Sequence, residues 1–220
     1  MAQANDSILV TPGAGATVAT ELVNGKEHQV VMLADPSGHL HGTLPSYMYM
    51  TPSAAAGADK LYCDLFNAAG SGKVIDVRGI WIVPDTDVAL TGALAVRVDL
   101  YRTSAVGTGG TAHSYKSATR DVGGGNITPM DTANAALPAQ ITARWLPTGG
   151  ATISEWMLAT YSLGEETATS MAYISQYQNI LPQLVVGQKF ALREGEGLLM
   201  KQGAVAATGN ISFLMAFTLE

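Results

Sequence analysis

Charge is scarce in this chain. Lys, Arg, Asp and Glu make up 14% of its 220 residues, against about 25% in an average soluble domain. The 12 basic residues are scattered and outnumbered by 18 acidic ones, leaving a net charge of -6. That excludes the basic footprint needed to grip a phosphate backbone, so no nucleic-acid partner is expected. Cysteine is nearly missing as well. Cys63 stands alone, no internal disulfide is possible, and its place in the alternating run LYCDLF marks it as a buried, inert thiol. No apolar run approaches the roughly 18 residues of a membrane-spanning helix. The opening MAQANDSILVTPGAGATVAT has no basic stretch followed by an apolar one, so neither a membrane anchor nor a cleaved leader is expected. Helical periodicity is equally rare. Its best instance is ETATSMAYISQYQN (166–179), where Met171, Ile174 and Tyr177 recur at i+3 among poor helix formers.

What the chain does have is glycine, 24 residues of it, and alternation of period two. In LAVRVDLYR, Leu94, Val96, Val98 and Leu100 share one face, while Ala95, Arg97, Asp99 and Tyr101 share the other, as in a half-buried antiparallel strand. In residues 211–219 both alternating sets are largely apolar, which predicts a central or covered strand. Further strands are expected in HQVVML (28–33), YMYM (47–50), LYCDLF (61–66), KVIDVRGIWIV (73–83), ITARWL (141–146), ISEWMLATY (153–161), KFALR (189–193) and GLLMKQ (197–202). Turn clusters such as VNGKE, DPSG, NAAGSGK, LPTGG and REGEG separate them. The fold class that follows is all-β, an antiparallel β-sandwich of jelly-roll type. The small-residue stretch TPSAAAGAD (51–59) suggests a boundary between an extended N-terminal arm, residues 1–59, and a β-domain, residues 60–220. Within the arm, Glu21 to Leu33 reads as a hairpin turning at Asn24-Gly25. Residues Gly107 to Pro138 show little periodicity and read as a surface excursion or inter-subunit loop.

Each motif with catalytic overtones has a simpler structural reading. AVGTGGTA (105–112) fits the glycine pattern of a dinucleotide loop. The strand before it alternates polar with apolar residues, however, and no amphipathic helix follows, so a turn is expected. NAAGSGK (67–73) resembles part of a P-loop but lacks its spacing. His39 and His41 in HLH would share one strand face, yet no third metal ligand is evident. Glu165-Glu166 and Glu194/Glu196 lie in turn-like surroundings rather than facing one another across a cleft. No nucleophile elbow is present. Trp81, Trp145 and Trp156 fall in strand-like runs, which favours core or interface packing over carbohydrate stacking. Catalytic, cofactor-binding and metal-ligating residues are therefore all expected to be absent.

The arm ATVATELVNGKEHQVVMLADPSGHL resembles the N-terminal strand-turn-strand segment of tailed-bacteriophage virion proteins, with its V-A-T stretch, His-Gln pair and D-x-x-G turn. DLYRTSAVGTGGTA, AALPAQITARWLPTGGA and ALREGEGLLMKQGAVAATGNISF are similar to a β-rich domain recurring in such particles. The resemblance implies a structural protein of the virion, foremost a capsid decoration (cement) protein. The alternative is a tail, fibre or connector protein that acts in attachment. It implies a homotrimer whose partners are the major capsid protein or other virion proteins, and it carries no catalytic residues. Apolar positions of the arm, Val18, Leu22, Val30, Met32, Tyr47 and Tyr49, are then the expected interface.

Overall fold

The computed structural model describes residues 17–23, 26–34, 40–41, 44–84, 92–113, 115, 125–131, 134–166, 181, 190–207 and 209–220. These residues form strands and turns, with no helix among them. They divide into two compact units between Leu44 and Pro45.

In the first unit, β1 (Thr17–Val23), β2 (Lys26–Ala34) and β3 (Leu40–His41) form an antiparallel sheet in that order. The β1–β2 ladder runs from Thr17 opposite Met32 to Val23 opposite Lys26. Two residues separate the strands, the spacing that an Asn-Gly reversal requires. Residues 1–16 of the expected arm lie outside the described residues.

The second unit is a β-sandwich. Sheet I contains β4 (Ser46–Met50), β7 (Ile75–Pro84), β10 (Asn126–Pro129), β13 (Phe190–Leu192) and β15 (Asn210–Leu219), in the order β10-β4-β15-β7-β13. The short β5 (Ala54–Ala55) pairs with the start of β15. Sheet II contains β6 (Leu61–Asn67), β8 (Gly92–Ala105), β9 (Thr111–His113), β11 (Ile141–Trp145), β12 (Thr152–Glu166) and β14 (Glu196–Gln202), in the order β12-β8-β14-β6-β11-β9. All these strand pairings are antiparallel. With β5, β9, β10 and β11 set aside, eight strands remain. In chain order, sheet I reads first, eighth, third, sixth, and sheet II reads fifth, fourth, seventh, second.

Alternation built these sheets. Tyr47, Tyr49, Ile80, Ile82, Phe213, Met215 and Phe217 of sheet I are buried together with Leu65, Val96, Val98, Leu100, Leu198 and Met200 of sheet II. Each large apolar side chain so buried contributes about 1.5–3 kcal/mol. Tyr62 joins the layers, its ring lying 5.3 Å from that of Phe213 and 6.0 Å from that of Trp145. Its hydroxyl donates to Gln202 Oε1, which also accepts from the Gly57 N–H. Asn67 is fully buried and donates through Nδ2 to the carbonyls of Lys73 and Leu192. Such pairing is what makes a buried amide tolerable.

Two expectations need correction. The body starts at Pro45 rather than near residue 60, because β4 pairs with both β10 and β15 and Ala54 is buried against β15. A run of small residues marked a bend between two body strands. Gly107–Pro138 is also more than an excursion, since it supplies β9 and β10 and buries Ile127. Those strands hold three and four residues, too few for alternation to show. The stretch with the best helical periodicity, 166–179, begins in β12 with Glu166, and its residues 167–179 lie outside the described residues.

Candidate functional site

The glycine loop of AVGTGGTA joins strands of one sheet. β8 ends at Ala105, and β9 begins at Thr111 paired with β11, so the loop opens a strand and not a helix. Gly109 and Gly110 turn the chain at φ of 67° and 61°, values that favour glycine. The loop's backbone is already engaged. The Thr108 N–H donates to the Gly149 carbonyl at 2.6 Å, the Thr148 N–H to the Thr108 carbonyl at 2.9 Å, and Arg144 Nη1 to the Gly109 carbonyl at 3.0 Å. NAAGSGK does hold an anion, but one from its own chain. Glu194 Oε1 accepts the Gly72 N–H at 2.6 Å, and the N–H groups of Gly72 and Gly70 hold this exposed carboxyl below its usual range. Glu196 accepts the Arg193 N–H at 2.8 Å and lies 3.1 Å from Arg102. These carboxylates fasten a turn.

His28 pairs opposite Glu21 in the N-terminal sheet, His41 lies opposite Leu33, and His39 falls outside the described residues. Among the described residues no group of three or more His, Cys, Asp or Glu side chains is placed to hold a metal ion. His113 lies 2.7 Å from the Tyr49 hydroxyl through Nδ1. Burial lowers the pKa of His113 and raises that of Tyr49, so the phenol O–H stays on Tyr49 and donates a hydrogen bond to a neutral imidazole. Cys63 is fully buried, and desolvation raises its thiol pKa. The array Cys63, Tyr49, His113 spans the two sheets and has no reactive thiolate.

A buried carboxyl short of partners is that of Asp64 on β6, 1% exposed. Its Oδ2 accepts the Gly107 N–H, where residues 106–151 leave β8, while its Oδ1 is buried without a partner. Arg144 is its cross-strand neighbour on β11, and its buried Nε also lacks one. Desolvation pushes the Asp64 carboxyl up to about 6, against the opposing pull of the Gly107 N–H and the Arg144 charge.

The surface that stands out chemically is the outer face of sheet I. On β4 it presents Met48 and Met50, on β15 Leu214 and Ala216, and on β7 Trp81 and Val83, all intermediate or exposed. Register aligns them: Leu214 lies opposite Met50 on one side and Trp81 on the other, and Ala216 lies between Met48 and Gly79. β10 adds Asn126 and Thr128 beside Met50 and Met48. None of these residues is charged. The Trp81 ring lies over Gly79, where a Cβ would come within 2.3 Å of it, so the glycine lets the indole lie along the sheet instead of standing out from it. Met50 is 43% exposed, and Met130, just beyond β10, is 57% exposed. Contiguous exposed apolar patches larger than a few hundred Å² mark interaction sites.

The expected interface residues fare differently. Val18 and Leu22 lie on β1, Val30 and Met32 on β2, and their side chains lie outside the description. Tyr47 and Tyr49 are core residues, 1% and 0% exposed. This corrects their assignment to a surface, and the reason is the pleat. On YMYM the tyrosines face inward and stack or bond within the sandwich, Tyr47 against Phe217 at 5.6 Å, which leaves the methionines outward. Sequence alternation found the strand but could not say which face was covered. Comparison of the chain with protein-family models, with curated proteins and with solved structures gives no match.

Proposed function

We propose that the protein is a structural component of a tailed-bacteriophage particle, a decoration protein that stabilises the shell by adding contacts between subunits. The observation that carries this reading is the uncharged outer face of sheet I, built from Met48, Met50, Trp81, Val83, Leu214 and Ala216. The strand order supports it too. With the four short strands set aside, the order first-eighth-third-sixth against fifth-fourth-seventh-second is compatible with a jelly roll, an architecture used in viral capsids. The sequence resemblance of the glycine-rich turns and the N-terminal hairpin to virion proteins points the same way. The mechanism is mechanical: many modest contacts act together because the lattice holds each subunit at high effective concentration.

The test is sedimentation of purified protein with empty shells assembled without it, alongside its mass in solution. Saturation at a fixed ratio by a trimer is the expected outcome. Failure to bind shells, with binding to tail structures or host cells instead, moves the protein to the tail, fibre or connector reading.

A further inference from the structure

Which way up the molecule sits, and what it sits on, follows from the two outer faces. This inference rests on the particle reading above. The outer face of sheet I has no charge across β10, β4, β15 and β7 from Asn126 to Val83. Among the described residues the first charged groups come at one end, where Asp76 pairs with Arg78 at 2.9 Å beside Thr218. The outer face of sheet II carries Asp64, Arg97, Asp99, Arg144 and Lys201, with ion pairs at 2.7 Å between Arg97 and Asp99 and between Lys201 and Asp59.

The size of the uncharged patch limits its occupant. Four strands about 4.8 Å apart, over roughly four residues at about 3.3 Å each, give a patch on the order of 400 Å² once side-chain margins are added. That is about half of the roughly 800 Å² that each partner of a stable free pair buries. A second copy of this chain docked through this face alone would not hold. A surface presented many times over, which lets several weak contacts engage together, fits it. Because the face offers no ionic partner, a charged occupant would lose its hydration without compensation.

We propose that the outer face of sheet I is the seating surface, docking onto an uncharged, apolar patch of the repeating shell subunit, while the outer face of sheet II points to solvent. Docking is then driven by burial of Met50, Met48, Leu214 and the Trp81 ring, with Met130 at the rim. It does not weaken with salt and tightens in sulfate.

The experiment measures occupancy of shells assembled without the protein, for wild type, Met50→Lys, Met130→Lys and Trp156→Ala, in low salt, in high sodium chloride and in sulfate. All three side chains are more than 40% exposed, so the variants fold, and circular dichroism checks that they do. Expected are occupancy at least about tenfold weaker for Met50→Lys, a smaller loss for Met130→Lys, no loss for Trp156→Ala on sheet II, and wild-type binding that sodium chloride does not weaken. Wild-type binding retained in Met50→Lys and lost in Trp156→Ala, or falling steeply with sodium chloride, overturns the orientation while leaving the decoration role standing. Wild type that never binds the shells overturns both.

Discussion

The two outer faces of the sandwich invert the usual relation between charge and exposure. Sheet II carries the charges and yet is sheltered at its centre, where Asp64, Leu199 and Thr103 are each 1% exposed, while Trp156 on its edge strand is 56% exposed. Sheet I carries none across its middle, where Met50 is 43% exposed and Met48, Trp81 and Leu214 are partly exposed. Burial of polar groups is normally costly and exposure of apolar ones unfavourable. Each face therefore departs from what a free-standing domain would choose. On sheet II the departure is internal, because the neck of the 106–151 insertion lies over Asp64. On sheet I no residue described here closes the row Met50, Leu214, Trp81. The lesson is that apolar content alone does not locate a core, and a charge does not by itself locate a surface.

The contrast can be broken most forcefully by placing one new carboxylate on each face. Leu199→Asp on sheet II should cost 3 kcal/mol or more, about the penalty of an unpaired buried charge, whereas Leu214→Asp on sheet I should cost within about 1 kcal/mol; urea melts of both variants at pH 7 measure the difference. Equal costs would mean that the two faces are equally covered.

Asp64→Asn probes the same shelter through pH. A folded-state pKa of about 6 against an ordinary 3.8 means that the folded protein favours the protonated carboxyl. The stability this contributes is present in full below pH 3.8 and is lost as pH rises through 6. The shift corresponds to about 3 kcal/mol. The Asn variant, which still accepts the Gly107 N–H, should therefore gain on wild type between pH 4 and pH 8, by up to that amount. Parallel melts across this range that never diverge would show Asp64 to be solvated.

Thr103→Val should stabilise by about 1 kcal/mol, since the Thr103 hydroxyl is buried without a partner and an apolar group of the same shape removes that penalty. The smallest effect should come from Asp59→Asn, which keeps a residue tolerant of the φ of 55° and deletes only the exposed ion pair with Lys201. About 0.5 kcal/mol, vanishing in high salt, is expected from thermal melts at two ionic strengths.

How much of this was legible in the sequence depended on strand length. Runs such as Leu94–Arg102 and Ile211–Leu219 announced themselves, because four or more alternating residues fix a strand on their own. The placement of Ile211–Leu219 in the middle of sheet I, between β4 and β7, agrees with its two apolar faces. β9, β10 and β5 were invisible, being two to four residues long and specified by partners far away in sequence. The candidate surface was half legible. Alternation in YMYM marks the strand but not which of its two sets, Tyr47 and Tyr49 or Met48 and Met50, faces out; only the place of Leu214 between Met50 and Trp81 reveals the open face. Asp64 gave no signal at all, since a single acid in an apolar strand becomes informative only when Gly107 and Arg144 are brought to it.

The central place of β15 has a consequence for how the molecule is made. Until residues 210–219 leave the ribosome, β4 and β7 have no neighbour between them, and sheet I exists only as two separated halves with unpaired edges. A growing chain therefore holds open backbone at these edges, which invites pairing with other nascent chains until β15 fills the gap between β4 and β7.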